Sequence, residues 1–216
     1  MSYCLFLDVL FKVYGNPGHG SLLLKDTAAE KLQKLLGKLF DYRNSQKKLL
    51  ELDSNLMLGD VTTVNVTKLN GGKQRNVLPP FFDLMVDMRL AVTVNHEVFE
   101  NMLNTWCKEA GGGIEIEYHI KEPHVAATKI DNSNIFWKSF KEATDSMNLK
   151  IKPQVFPAGT DSSYIRAAGI PAIGFSPMIY TPILLHDHDE FLQADIYLKG
   201  IEIYKQILES IGNVIE

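Results

Sequence analysis

Residues 182–192, PILLHDHDEFL, hold two histidines and three acidic residues in five consecutive positions. Imidazole nitrogens and carboxylate oxygens are the zinc ligands of hydrolases, in which one coordination position stays open for water. His186 and His188 are two positions apart, so both could ligate from one face of an extended segment. The alternative is a charged loop in which Asp189 or Glu190 favours the N-terminus of the next helix. The residue types leave both interpretations open.

The glycine-rich turn GNPGHGS at 15–21 contains a second histidine of interest, His19. Its neighbours have no side chains that could pack on the ring, which argues against a buried core position. His19 is then either an exposed turn residue or a protruding imidazole that polarises an oxygen of a ligand.

Arg89 lies on the polar side of the alternating segment FFDLMVDMRL at 81–90. A guanidinium can bind a carboxylate with two parallel hydrogen bonds. The alternative is a salt bridge with Asp83 or Asp87 on the exposed face of a sheet.

The segment PAGTDSS at 157–163 lies between an apolar segment and a short helical pattern. Its backbone N–H groups and Thr160 would stand at a helix N-terminus, which favours an anion or oxyanion. An ordinary loop capped by Asp or Ser would have the same sequence.

The elements that position these residues fall into two regions. The first reads as strand, helix, strand, strand, helix, strand, with a capping box from Thr27 to Glu30 at the first helix and strict alternation in residues 81–90. This order predicts a ferredoxin-like α+β domain, a four-stranded antiparallel sheet with two helices on one face.

The second region alternates helical patterns with the short apolar segments LKIKPQVF at 149–156 and IPAIGF at 170–175. Such alternation predicts a parallel α/β sheet. Two strands and three helices leave sheet edges uncovered, so we expect this region to be part of a larger domain.

Composition narrows the class of protein. The 216 residues are 45% hydrophobic and 22% charged with a net charge of −4, which excludes a basic footprint for nucleic acid or anionic membrane. No apolar run approaches the roughly 20 residues that span a bilayer. Two distant cysteines suit a reducing compartment. We expect a soluble cytosolic protein that binds neither nucleic acid nor membrane.

Five strings together resemble the aminoacylase and carboxypeptidase family of zinc amidohydrolases, in order and in spacing. They are GNPGHGSLLLKDTAAEKL, VTKLNGGKQRNVLPP, DMR, FPAGTDSSYIRAAGIPAIGFSPM and LLHDHDEFL. The resemblance runs from about residue 15 to near the C-terminus. It implies a ferredoxin-like dimerisation domain at about 9–123, followed by the later part of a zinc-binding catalytic domain at 124–216.

The resemblance also implies roles for single residues. The first histidine of an H-x-x-D-E string binds zinc, which falls on His186 and leaves His188 as a neighbour. His19 reaches across a homodimer to stabilise the oxyanion in the partner's active site. The match also implies substrate-contacting positions, with Arg89 as the clamp for the carboxylate; they are Asn76, Arg89, Gly159 and Thr160.

The implied reaction is hydrolysis of an N-acyl-L-amino acid to a carboxylate and a free L-amino acid. In the family two zinc ions activate the attacking water and a glutamate is the general base. Those further ligands and the glutamate lie upstream of the P-G-H turn, where this sequence has eighteen residues before His19. We therefore expect a portion of an aminoacylase that is inactive alone, or alternatively a non-catalytic dimerising partner derived from one.

Overall fold

A computed structural model describes residues 5–122, 125–156, 159–184 and 187–215. The first part of the chain forms β1 (Leu5–Tyr14), β2 (Gly18–His19), α1 (Ala28–Leu52), β3 (Thr63–Gly71), β4 (Val77–Leu78), β5 (Phe81–Leu90), α2 (His96–Glu109) and β6 (Ile114–Lys121). The later part forms α3 (Ile135–Ser146), α4 (Ser162–Ala167) and α5 (Ala194–Gly212). Within the described ranges, no helix combines the length and apolar character that a bilayer crossing requires.

β1, β3, β5 and β6 form a four-stranded sheet in the order β3-β5-β1-β6, and every neighbouring pair is antiparallel. The register places Val9 opposite Val86 and Phe11 opposite Leu84, so the buried residues of the two central strands share one face. β2 and β4 form a separate two-residue ladder. The alternation predicted for residues 81–90 is present, with Leu84, Val86 and Met88 fully buried.

α1 begins where the sequence predicts it. The Thr27 backbone N–H donates to Glu30 Oε2 at 2.9 Å, and the Glu30 N–H donates to Thr27 Oγ1 at 3.3 Å, which completes the capping box. Buried Leu32, Leu35 and Leu39 of α1 pack on the sheet in one cluster with residues of α2. Both helices therefore cover the same face, as the apolar patterns predict.

A second cluster lies between α3 and α5. Trp137, Phe140 and Ala143 of α3 are buried with Ile203 and Ile207 of α5. α5 carries a further apolar stripe that stays exposed, including Tyr197 (57%), Ile201 (47%) and Leu208 (65%). The helix is thus apolar on two sides, and one of them is covered in the described structure.

The predicted parallel sheet of the second region is wrong for the described residues. Neither 149–156 nor 170–175 forms a strand, although Ile151, Ile173 and Phe175 pack against the second cluster. A strand requires a hydrogen-bonded neighbour, and an apolar run does not specify one. The apolar pattern predicted burial correctly and pairing incorrectly.

The chain divides into two compact units. The first unit comprises residues 5–122 and 125–126 together with 154–156 and 159–163, and the second comprises 127–153, 164–184 and 187–215. The segment before α4 belongs to the first unit because it packs there: a Cβ at Gly59 would lie 2.1 Å from the Val155 carbonyl oxygen. The sequence placed this segment in the second region.

Candidate functional site

His19 and Asn76 lie side by side on the two-stranded ladder. His19 pairs with Val77, and the Gly20 N–H donates to the Asn76 carbonyl at 2.7 Å. The His19 ring is exposed, and its Nδ1 lies 2.8 Å from Ser21 Oγ and 3.3 Å from the Ser21 backbone nitrogen. The structure thus brings together two of the residues selected from the sequence, and it places the imidazole on an exposed ladder.

Arg89 lies near the C-terminal end of β5, far from the His19 turn. Its Nε and Nη2 each lie 2.9 Å from a carboxylate oxygen of Asp87, and its guanidinium carbon lies 3.7 Å from the centre of the Phe6 ring. The salt bridge that the sequence left as an alternative is therefore present. Asp87 uses one edge of the guanidinium fork. Within the described residues no partner occupies Nη1, so the second edge can bind another carboxylate.

Gly159 and Thr160 lie at the same end of the sheet as Arg89. A Cβ at Gly159 would stand 3.6 Å from Glu122 Oε1, and Glu122 Oε2 accepts from the Phe6 N–H at 3.1 Å. Phe6 is the residue whose ring lies under Arg89. Thr160 is exposed, and its hydroxyl contacts that of Ser162 at the start of α4.

The candidate residues of the first unit therefore form two groups at opposite ends of the sheet. Arg89 lies eight positions along β5 from Phe81, the end that adjoins the His19 turn. At about 3.3 Å per residue the two groups are on the order of 25 Å apart. One small substrate cannot contact both groups of the same chain.

His186, the metal ligand expected from the sequence, lies outside the described residues. Its neighbours Asp187, His188 and Asp189 are exposed, and they can bring one ligand atom each within 4.8 Å of one another. His188 Nδ1 lies 2.8 Å from Asp187 Oδ1. Imidazole nitrogen and carboxylate oxygen are donor types that suit zinc.

The face of the sheet that the two helices leave uncovered carries paired polar side chains. Lys12 Nζ lies 2.9 Å from Glu117 Oε2, and this hydrogen bond and charge interaction raise the pKa of Lys12 and lower that of Glu117. Tyr14 donates to Glu115 at 3.3 Å, while burial is the main cause that raises the pKa of the Tyr14 hydroxyl. Lys12 and Glu117 therefore both stay charged at neutral pH, and the Tyr14 hydroxyl stays protonated, so neither pair creates a nucleophile or base.

Sequence reasoning missed the residues that support the site. Glu122 and Phe6 fix the Arg89 end, and Ser21 contacts the His19 ring. The antiparallel register of β1 and β6 brings Glu122 beside Phe6, which the predicted strand order could have indicated. The contact of Ser21 depends on turn geometry, for which the sequence carries no signal.

Solved structures share this fold. An aminopeptidase PepT from Bacillus cereus superposes with a TM-score of 0.68 at 19% identity, covering 97% of this chain and 52% of its own. The M20 family metallo-carboxypeptidase Sso-CP2 from Sulfolobus solfataricus gives a TM-score of 0.64 at 19% identity, covering 99% of this chain and 60% of its own. The fold is that of this class of peptidases.

Sequence comparison specifies the family. The sequence profile of Peptidase family M20/M25/M40 matches residues 15–210, and the chain belongs to this family. Aminoacylase-1 of Mus musculus is 45% identical and that of Homo sapiens 43% identical, each over 200 residues that cover 93% of this chain and 49% of the relative. Aminoacylase-1 of Dictyostelium discoideum is 38% identical over 211 residues, which cover 93% of this chain and 51% of the relative. The chain spans about half the length of the curated relatives it matches.

Proposed function

We propose that this chain forms the substrate-binding and dimerising part of an amidohydrolase that converts N-acyl-L-amino acids to a carboxylate and a free L-amino acid. The observation that carries the proposal is the Arg89 end of the sheet, where one edge of the guanidinium fork remains for a carboxylate beside Gly159. Identity of 38–45% to aminoacylases supports the substrate class.

Each candidate residue has a place in this proposal. Arg89 binds the free carboxylate of the substrate, and its pairing with Asp87 aligns the fork for two parallel hydrogen bonds. Gly159 and Thr160 line the adjoining loop, where exposed backbone and hydroxyl groups can contact the substrate. His19 donates to the oxygen of the acyl carbonyl as negative charge develops on it, with Asn76 beside it.

Dimerisation explains how two distant groups of residues can contribute to one active site. Because His19 and Arg89 of one chain lie on the order of 25 Å apart, His19 serves the site of a second copy. The antiparallel sheet with its order β3-β5-β1-β6 and two helices on one face supports a ferredoxin-like dimerisation domain, which we place at 9–123. The later residues, 124–216, then belong to the catalytic domain.

Zinc is part of the proposal, with His186 as the ligand that this chain contributes and His188 as its neighbour. The exposed groups of Asp187, His188 and Asp189 have the donor types of a zinc site. Zinc bound there would supply Lewis-acid chemistry for water activation. The proposal assigns one metal ligand to this chain, so we expect no turnover from the 216-residue polypeptide alone.

The test is a chimera in which residues 15–210 replace the matched stretch of mouse aminoacylase-1. We expect zinc-dependent release of methionine from N-acetyl-L-methionine. Arg89→Ala should raise KM at least tenfold, because it removes binding of the carboxylate. Lys38→Ala is the matched control, since half-exposed Lys38 lies on α1 and pairs with Glu109 of α2. A folded chimera without turnover would refute the proposed reaction.

The second candidate is a non-catalytic dimerising partner, and it is favoured by the antiparallel sheet of the first unit with its two covering helices, which forms without a metal site within the described residues. It predicts heterodimers of this chain with full-length aminoacylase that native mass spectrometry would detect, together with a chimera that binds no substrate. For either candidate we propose a cytosolic location, in keeping with the two cysteines and the net charge of −4.

A further inference from the structure

We propose that Ser21 is a positioning residue for His19: its two donors hold Nδ1 as an acceptor and keep the ring proton on Nε2. The inference rests on the role proposed above for His19. Its direct test observes the ring itself in the 216-residue chain, so the two can fail separately.

The backbone N–H and the hydroxyl of Ser21 both contact the same ring nitrogen of His19. The Ser21 backbone nitrogen lies 3.3 Å from His19 Nδ1 and can act only as a donor. Nδ1 must therefore accept, and in the neutral ring it carries no proton. The Ser21 hydroxyl, 2.8 Å from the same nitrogen, is then also the donor. Two donors on one nitrogen select a single tautomer.

This tautomer is the one that the proposed reaction needs. A neutral imidazole has one N–H group, so when Nδ1 accepts, Nε2 is the donor. An Nε2–H group fixed in direction can stabilise an oxyanion without reorganisation during the reaction. Ser21 itself need not touch the substrate, because it acts through the His19 ring.

The backbone around the ring is already fixed. Gly18 and His19 pair with Leu78 and Val77, and the Leu22 N–H donates to the His19 carbonyl at 3.0 Å. At Gly20, a Cβ would stand 3.2 Å from the Asn76 carbonyl oxygen, so glycine permits this close approach. The ladder does not determine the orientation of the His19 ring or which nitrogen is protonated. Ser21 contacts Nδ1, and this contact determines both.

The test is the ¹⁵N chemical shifts of both His19 ring nitrogens in the labelled 216-residue chain, with the ring neutral. We expect protonated Nε2 and unprotonated Nδ1. Ser21→Ala removes the nearer of the two donors, the hydroxyl at 2.8 Å, and leaves the backbone N–H at 3.3 Å, so it should increase the Nδ1–H fraction severalfold. Ser21→Thr should restore the original state. An unchanged Val77 amide shift would show that the ladder persists. Substantial Nδ1–H in the unmodified chain, or no response to Ser21→Ala, would overturn the proposal.

Kinetics of the chimera give an independent readout. Ser21→Ala should lower kcat about tenfold with KM unchanged, because a misdirected donor loses stabilisation of the transition state alone. Ser45→Ala is the matched control, since the exposed Ser45 hydroxyl donates to the Tyr42 carbonyl within α1. An equal loss in both variants, or a change in KM alone, would count against positioning. If the tautomer behaves as expected and no chimera turns over, the proposed reaction fails while the positioning stands.

Discussion

Replacing Gly15 by alanine should destabilise the first unit, because this glycine lies against the start of α1. A Cβ there would stand 2.0 Å from the Ala28 nitrogen, 2.3 Å from the Thr27 carbonyl carbon and 2.6 Å from Ala28 Cα. All three are backbone atoms, so no side chain can rotate away. The Gly15 φ angle lies outside the left-handed region, so the clash alone decides the outcome.

The size of the effect follows from what must move. Relieving the contact separates Gly15 from Thr27, which belongs to the capping box of α1. Overpacking costs about 1–3 kcal/mol, and loss of a helix cap costs about 1 kcal/mol more. We expect a loss of about 2–4 kcal/mol in the free energy of unfolding.

The assay is urea unfolding followed by fluorescence of Trp106, which packs against the core of the first unit. A Trp137→Phe background removes the tryptophan of the second unit. Gly37→Ala is the matched control: Gly37 is exposed within α1 and nothing stands within 4 Å of its added Cβ. That substitution should raise stability by about 0.5–1 kcal/mol through helix propensity. Equal midpoints for the two variants would refute the reasoning.

Two further predictions follow from pKa shifts. Burial raises the pKa of the Cys107 thiol to about 11. At pH 8 the alkylation of Cys107, measured by peptide mass spectrometry, should therefore be at least roughly 100-fold slower in the native chain than in urea. Comparable rates in the two conditions would contradict this. Hydrogen bonds from Thr27 lower the pKa of Glu30 below 4.5. The ionised carboxylate therefore stabilises the fold above that pH, and this contribution disappears as the pH falls through the folded-state pKa. The urea midpoint of Glu30→Gln should thus be below that of the unmodified chain at pH 7 and approach it in acid, whereas a constant difference would exclude this linkage.

Much of the first unit follows from local patterns. The capping box of Thr27 and Glu30 places the start of α1, and the alternation in residues 81–90 identifies the buried face of β5. These features could be predicted because each depends on residues close in sequence.

The second unit was harder to predict because its apolar segments need partners distant in sequence. Residues 170–175 read as a buried strand, yet they have no ladder neighbour within the described structure. On α5, Tyr197, Ile201 and Leu208 are exposed, while Ile203 and Ile207 are buried. Hydrophobic periodicity identifies an apolar face and does not specify what covers it.

The types of the candidate site residues could be read from the sequence, but which of them lie close together is seen only in the structure. His19 with Asn76, and Arg89 with Gly159, lie at opposite ends of one sheet. The contact of Arg89 with Asp87 was an open alternative in the sequence. In the described part of the chain, this contact leaves the second edge of the guanidinium without a partner. Neither the grouping nor this geometry can be read from spacing.

The most direct test of the account is subunit complementation in the chimera with differently tagged copies. At a substrate concentration far below KM, His19→Ala and Arg89→Ala copies should each have little activity alone, because each removes a residue from every site. If His19 acts on the partner's substrate, a mixed dimer retains one complete site out of two. Random pairing of equal amounts makes about half of the dimers mixed, so about a quarter of the unmodified activity should return on co-expression. No recovery would contradict the account, because His19 and Arg89 would then act within a single chain.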